Sequence, residues 1–285
     1  MMKSQKQFLC KKSDSGSVLV VCIWVLVIFS ILNVGLYKIT FSQAKIYKNI
    51  ELNATSEYLA KAAYFYIKKI RSKDKTTYES FYELRKLREK ELGKGKFKCV
   101  IIDEESKINI NVISENILAQ LPGLNEGIAE NIVKARKDPF YFKEQLLDVE
   151  GITEEIFDQI KDHVTTYGNG KINFNTASDA VLSALGIDDF HIKVINEYRA
   201  GSDAELATED DRYFEGTGKI LDNLREFTGI FTEQQLVILD LINKGIIGVE
   251  SDVLTLQVDT EYLGKPVMKY YITMDEEGIK QWREM

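Results

Sequence analysis

The chain has 285 residues, 45% hydrophobic and 28% charged, enough for one or two packed domains and too polar for a protein of many membrane spans. Three cysteines are too few for a disulfide framework, and three prolines exclude a proline-rich stalk. The formal charge of −7 argues against a nucleic-acid partner. That total sums unlike parts. Lys and Arg against Asp and Glu number 4 and 1 in residues 1–37, 16 and 7 in 38–102, 12 and 27 in 103–233, and 5 and 9 in 234–285.

Residues 17–37 carry no charge. At about 1.5 Å per residue this run reaches roughly 31 Å as a helix, the thickness of a bilayer's hydrocarbon core. Lys3, Lys6, Lys11 and Lys12 precede it, which orients the short N-terminus to the cytoplasm and the remaining chain outside. A simple signal anchor accounts for this pattern. A cleaved secretory signal fits less well, because the apolar run is too long for one. The polar, basic segment Lys11-Lys12-Ser13-Asp14-Ser15-Gly16 abuts the run directly and resembles the leader of a type IV pilin-like protein, cut between Gly16 and Ser17.

From Lys38 to Arg71 there is neither Pro nor Gly, and Tyr47, Ile50, Ala54, Tyr58, Ala62 and Phe65 recur at spacings of three and four. This predicts one helix over 17–71, wholly apolar first and then amphipathic. Its apolar face, from Val21 through Tyr47, Ile50, Ala54 and Tyr58, is the expected partner surface. A plain core helix following an anchor gives the same pattern.

The acidic centre contains a repeat. Lys107-Ile-Asn-Ile-Asn111 recurs as Lys171-Ile-Asn-Phe-Asn175, and each copy runs on to an Ile-rich helix ending at Arg136 or Arg199. Leu146-Leu-Asp-Val-Glu-Gly-Ile152 and Leu224-Arg-Glu-Phe-Thr-Gly-Ile230 share a further pattern. Residues 107–152 and 171–230 therefore read as two copies of an all-helical unit with helix–hairpin–helix-like turns. Gly123, Gly151, Gly186 and Gly229 would allow those turns. Such modules often hold DNA through hairpin amides, but carboxylates crowd these hairpins, and no nucleic-acid partner is expected. Asn109, Asn111, Asn173 and Asn175 read as structural, with Ser114 and Ser178 as N-caps.

Asp203, Glu205, Glu209, Asp210 and Asp211 lie in a glycine-flanked segment. Clustered carboxylates are calcium candidates; a solvated acidic loop has the same composition. Lys96–Asp103 reads as a strand, and Asp252–Thr260 with Val267–Thr273 as a hairpin that needs the long helix as its covering face. No catalytic constellation is found: His163 and His191 are the two histidines, and no phosphate-binding loop exists.

The full set, in order, resembles the K-type minor pseudopilin of type II secretion. It comprises the Gly16/Ser17 junction with its apolar helix, Asp103-Glu-Glu-Ser-Lys-Ile-Asn-Ile-Asn111, Leu121-Pro-Gly-Leu124, Lys171-Ile-Asn-Phe-Asn-Thr-Ala177 and Gln281-Trp-Arg283. The resemblance implies an α+β, pilin-like fold, a long N-terminal helix on a small antiparallel sheet with a large all-α insertion. Its expected parts are a leader (1–16), a membrane half-helix (17–37), a head segment (38–103), the insertion (104–240) and a closing sheet (241–285). It implies a non-enzymatic subunit of the inner membrane with its C-terminal region periplasmic, cut by a prepilin peptidase. The implied partners are I- and J-type minor pseudopilins and the major pseudopilin, at the fibre tip where assembly starts. Most pilins carry Glu at the fifth mature position. Here that residue is Val21, and K-type relatives likewise lack the acid. Ser17 departs from the usual Phe or Met, which bears on processing and methylation there. The rival expectation is a type IV pilus or DNA-uptake component that uses the hairpins on nucleic acid.

Overall fold

The structure, a computed structural model, describes residues 15–73, 80–229 and 234–285. The chain divides into two units, residues 1–54 and 55–285. One helix, α1 (Ser15–Arg71), makes up the described part of the first unit and enters the second. It includes an 18-residue window of mean hydropathy 2.8, long and apolar enough to cross a membrane. Its polar interruptions close on the preceding turn. Ser30 Oγ donates to the Leu26 carbonyl and Asn33 Nδ2 to that of Phe29, each at 2.8 Å. Gly16 and Ser17 lie in the first turn of α1, while residues 1–14 of the expected leader lie outside the described residues.

The second unit continues with α2 (Phe81–Arg85), β1 (Arg88–Leu92) and β2 (Gly95–Asp103). A helical lobe follows: β3 (Ile108–Asn109), α3 (Glu115–Leu118), α4 (Glu126–Ala135), a 3₁₀ turn (Lys143–Asp148), α5 (Glu154–Ile160) and β4 (Val164–Thr165). Its second half holds β5 (Ile172–Asn173), α6 (Asp179–Ala184), α7 (Asp189–Arg199), α8 (Ile220–Thr228), α9 (Gln234–Asn243) and β6 (Ile247–Gly248). The chain closes with β7 (Leu254–Tyr262), β8 (Lys265–Met274) and β9 (Ile279–Glu284). The main sheet has the order β1-β2-β7-β8-β9 and is antiparallel throughout. β2 pairs with β7 from Gly95↔Tyr262 to Asp103↔Leu254, so the whole helical lobe is inserted between two neighbouring strands. The expected α+β, pilin-like architecture is observed. Sequence reading missed β1, where Arg88-Glu-Lys-Glu-Leu92 alternates in charge rather than hydrophobicity and so carries no burial period.

α1 covers the sheet through Leu59, Ala60, Ala63, Tyr64 and Ile67, which pack with Phe97, Cys99, Ile101, Leu256, Val258 and Ile272. Small residues let the helix come close. A Cβ on Gly95 would stand 2.8 Å from Leu59 Cδ1. Ser56 Oγ meets Thr260 Oγ1 at 2.6 Å and sets the register. This face differs from the aromatic one singled out by spacing. At about 100° per residue, Leu59, Ala63 and Ile67 lie across the helix from Tyr58 and Phe65. Both stripes have helical period, and only the tertiary structure shows which of them packs on the sheet.

The lobe has its own core, from Ile108 to Val249. Leu241, Ile247 and Val249 belong to it because β6 pairs in parallel with β5, Ile172 opposite Ile247. The lobe's core thus passes the boundary expected at residue 240. A prediction separates the two faces of α1. Ala63→Leu, on the buried face, should cost about 1–3 kcal/mol by overpacking, whereas Tyr58→Ser should stay within about 0.5 kcal/mol. Thermal melts of a soluble 38–285 fragment would measure both.

Candidate functional site

The two repeat copies share one set of hydrogen bonds. Asn109 Oδ1 accepts the Asn111 amide at 2.9 Å, as Asn173 Oδ1 accepts the Asn175 amide at 3.0 Å. Asn111 pairs doubly with the Phe140 backbone, its Nδ2 donating at 2.9 Å and its Oδ1 accepting at 2.8 Å. Asn175 does the same with Phe214, at 3.0 and 2.7 Å. Arg136 Nη1 donates to the carbonyls of Ile110 and Ile113 at 3.3 and 2.7 Å. The equivalent Arg199 donates to those of Phe174 and Ala177. It is buried between the Phe81 and Phe174 rings, at 5.8 and 5.7 Å, and burial pulls its guanidinium down to about 9.

All four asparagines are structural, as expected, and Gly123, Gly151, Gly186 and Gly229 take positive φ of 76°, 93°, 85° and 68°. Ile230, the last residue of the second expected copy, lies outside the described residues. Ser114 and Ser178 occupy N-cap positions, but neither side chain makes a capping bond. Ser178 Oγ instead meets His163 Nδ1 at 3.1 Å. The caps are made by Asn125, Thr153 and Asp188.

Three consecutive acids at the end of β2 join the lobe to the sheet. Asp103 Oδ1 accepts from Ser251 Oγ at 2.5 Å and the Glu105 amide at 2.8 Å. Its Oδ2 accepts from Asn173 Nδ2 at 2.8 Å and Thr176 Oγ1 at 2.5 Å. Glu104 accepts from Thr255 Oγ1 on β7 at 2.7 Å, from Thr165 Oγ1 on β4 at 2.8 Å and from Lys107 Nζ at 3.0 Å. Glu105 accepts the Asp252 and Asn169 amides. Burial pushes the Asp103 and Glu105 carboxyls above their ordinary values. Burial would also raise Glu104, but the Lys107 charge and the threonine hydroxyls outweigh it and hold that carboxyl low. Sequence reading missed this junction, because nothing in three adjacent acids marks them as buried.

No group of three or more His, Cys, Asp or Glu side chains that could hold a metal ion occurs among the described residues. Four of the five carboxylates accept hydrogen bonds from the loop itself or from Tyr82. Asp210 Oδ2 accepts the Ser202 and Asp203 amides at 2.6 and 3.1 Å, Asp203 Oδ1 that of Glu205 at 2.8 Å, and Asp211 Oδ2 that of Ala207 at 2.9 Å. Glu209 Oε1 accepts from Tyr82 at 3.0 Å.

The expected partner face is open. In the first unit Val21, Tyr47, Ile50 and Ala54 are exposed, Tyr47 at 72%. In the second, Tyr58 and Phe65 are exposed at 72% and 65%.

The junction generates a pH prediction. A carboxyl held below its ordinary value contributes stability that is present above that value and lost as pH falls through the lowered one. Glu104→Gln should therefore destabilise the 38–285 fragment by about 1–3 kcal/mol at pH 7. The gap should narrow below the ordinary value of 4.5. Urea unfolding at several pH values between 7 and 3.5 would measure it.

Comparison with known proteins places this geometry. A helix–hairpin–helix motif model matches residues 103–165, the first repeat copy together with the acidic junction. No curated protein matches the chain. Among solved structures, the chain is similar to one in the crystal structure of the GspK–GspI–GspJ complex from the type 2 secretion system of enterotoxigenic Escherichia coli. The TM-score is 0.59 and the identity 14%, over 86% of this chain and 99% of that one. The resemblance to the K-type minor pseudopilin is met at the level of the fold: spine helix, antiparallel sheet and inserted helical lobe in one chain.

Proposed function

We propose that the chain is a K-type minor pseudopilin of a type II secretion system, sits at the tip of the pseudopilus and helps to start its assembly. One observation carries the reading. In a fold shared over 86% of the chain with a chain of the GspK–GspI–GspJ complex, α1 buries a small-residue face on the sheet and leaves Tyr58 and Phe65 exposed on the other. Exposed aromatics at helical spacing need a cover, and a second helix supplies one.

On this reading a prepilin peptidase removes residues 1–16. The apolar half of α1 anchors the chain in the inner membrane with the head periplasmic. The faces around Tyr47, Ile50, Ala54 and Tyr58 receive the helices of I- and J-type minor pseudopilins and of the major pseudopilin. Val21, with no carboxylate to pair with a neighbour's N-terminal amine, suits a subunit with nothing above it. The inserted lobe, too bulky for a repeating fibre, suits the same place. The work is binding, and no catalytic step is assigned. The rival, a DNA-uptake component, is disfavoured by 27 acids against 12 bases over residues 103–233.

Co-expression with an active prepilin peptidase should yield a mature chain beginning at Ser17 by N-terminal sequencing. A chain that keeps Met1 under those conditions would sink the reading. Ile50→Asp with Tyr58→Asp should abolish co-purification with I- and J-type partners while leaving the thermal melt of the head unchanged.

A further inference from the structure

The helical lobe carries an open groove of about 610 Å³ between α6, α7 and the loop that follows α7, a volume ordinary for ligand sites. Its floor is apolar: Ala180, Ile192, Ala200 and Leu206. The loop makes the second copy unlike the first. Asn111 reaches its Phe140 partner across 29 residues, and Asn175 its Phe214 partner across 39. That extra length contributes Ala204 and Leu206 to the groove. The loop is held in shape by its own carboxylates, so the wall stands before anything binds.

The rim has three acids, and the single cation in its lining is outnumbered. Asp179, Asp189 and Glu197 face one lysine, Lys193. Lys193 lies 3.7 Å from Glu197, with both side chains mostly exposed, a pairing that contributes little. Asp179 accepts a hydrogen bond from Asn196 Nδ2 at 2.7 Å and also feels the charge of the buried Arg199. Asp189 has no ion pair or side-chain hydrogen bond among the described residues. The surrounding block, with 27 acids against 12 bases, adds a field of the same sign.

We propose that this groove docks a lysine- or arginine-bearing amphipathic segment of another polypeptide, its aliphatic side chains on the alanine and leucine floor and its cations on the three rim carboxylates. Charge complementarity selects this occupant over an acidic or purely apolar one. The proposal does not depend on the chain's place in a secretion fibre.

The test uses the full chain in detergent micelles, with empty micelles subtracted. The probes are a fluorescein-labelled peptide with Lys and Leu at helical spacing among alanines, and its Glu-for-Lys counterpart. The Lys peptide should bind by anisotropy and the Glu peptide should not. Asp189→Asn with Glu197→Gln should weaken binding about five- to tenfold, the loss of two exposed pairs. Glu126→Gln with Glu154→Gln, which neutralises two acids of α4 and α5 outside the groove, should leave it unchanged. Benzoylphenylalanine in place of exposed Ser183 should crosslink the Lys peptide.

Four results would overturn the proposal. They are equal weakening by both double variants, which means a diffuse acidic field, equal binding of the Glu peptide, absence of the crosslink, or displacement of the peptide by calcium chloride alone at a saturable site. Circular-dichroism melts of each variant distinguish lost docking from lost folding.

Discussion

Both oxygens of one buried carboxylate hold this protein's second unit together. Asp103 ends the central strand β2, and its four donors come from three separate stretches of chain: the turn that follows it, the second repeat copy and the return segment at Ser251. A carboxylate out of water is tolerated when every lone pair is used, and the low dielectric that makes such burial costly also strengthens each bond. Glu104 and Glu105 extend the junction to the first copy and to β7. The helical lobe is thus anchored to the sheet on both sides of its point of entry.

That anchoring explains how a large insertion leaves a small sheet intact. β2 and β7 pair along nine positions, and the break between them falls where Asp103 meets Leu254. Within the lobe, duplication supplies the internal order. Each copy closes on itself with an asparagine that mimics a backbone pair and an arginine that caps carbonyls of its own Asn-containing turn. These bonds are satisfied by backbone atoms rather than by particular side chains, so a copy can lengthen a loop without losing its frame. The loop after α7 is such a lengthening.

The spine helix is built differently. One face is spent on the sheet through Leu59, Ala60, Ala63, Tyr64 and Ile67, and the opposite face leaves Tyr58 and Phe65 open. The helix thus carries one apolar face packed in the core and another exposed. The acidic lobe and the basic stretch over 38–102 keep the two kinds of surface chemically distinct.

How much of this was legible in the sequence follows from the range of the interactions. The long helix was readable because an uncharged run and a Pro- and Gly-free stretch act locally. So were the repeat, its hairpin glycines and the alternation of β7 and β8. Tertiary structure alone decided which face of α1 is buried, because period identifies a face but not its neighbour. It also decided that Asp103, Glu104 and Glu105 are interior, that carboxylates of the Asp203–Asp211 loop bond to loop amides and to Tyr82, and that charged β1 is a strand. The packing of α1 and the burial of Asp103 and Glu104 depend on groups brought together across tens of residues or more, whereas the acidic loop and β1 are local structures whose side chains carry no burial period.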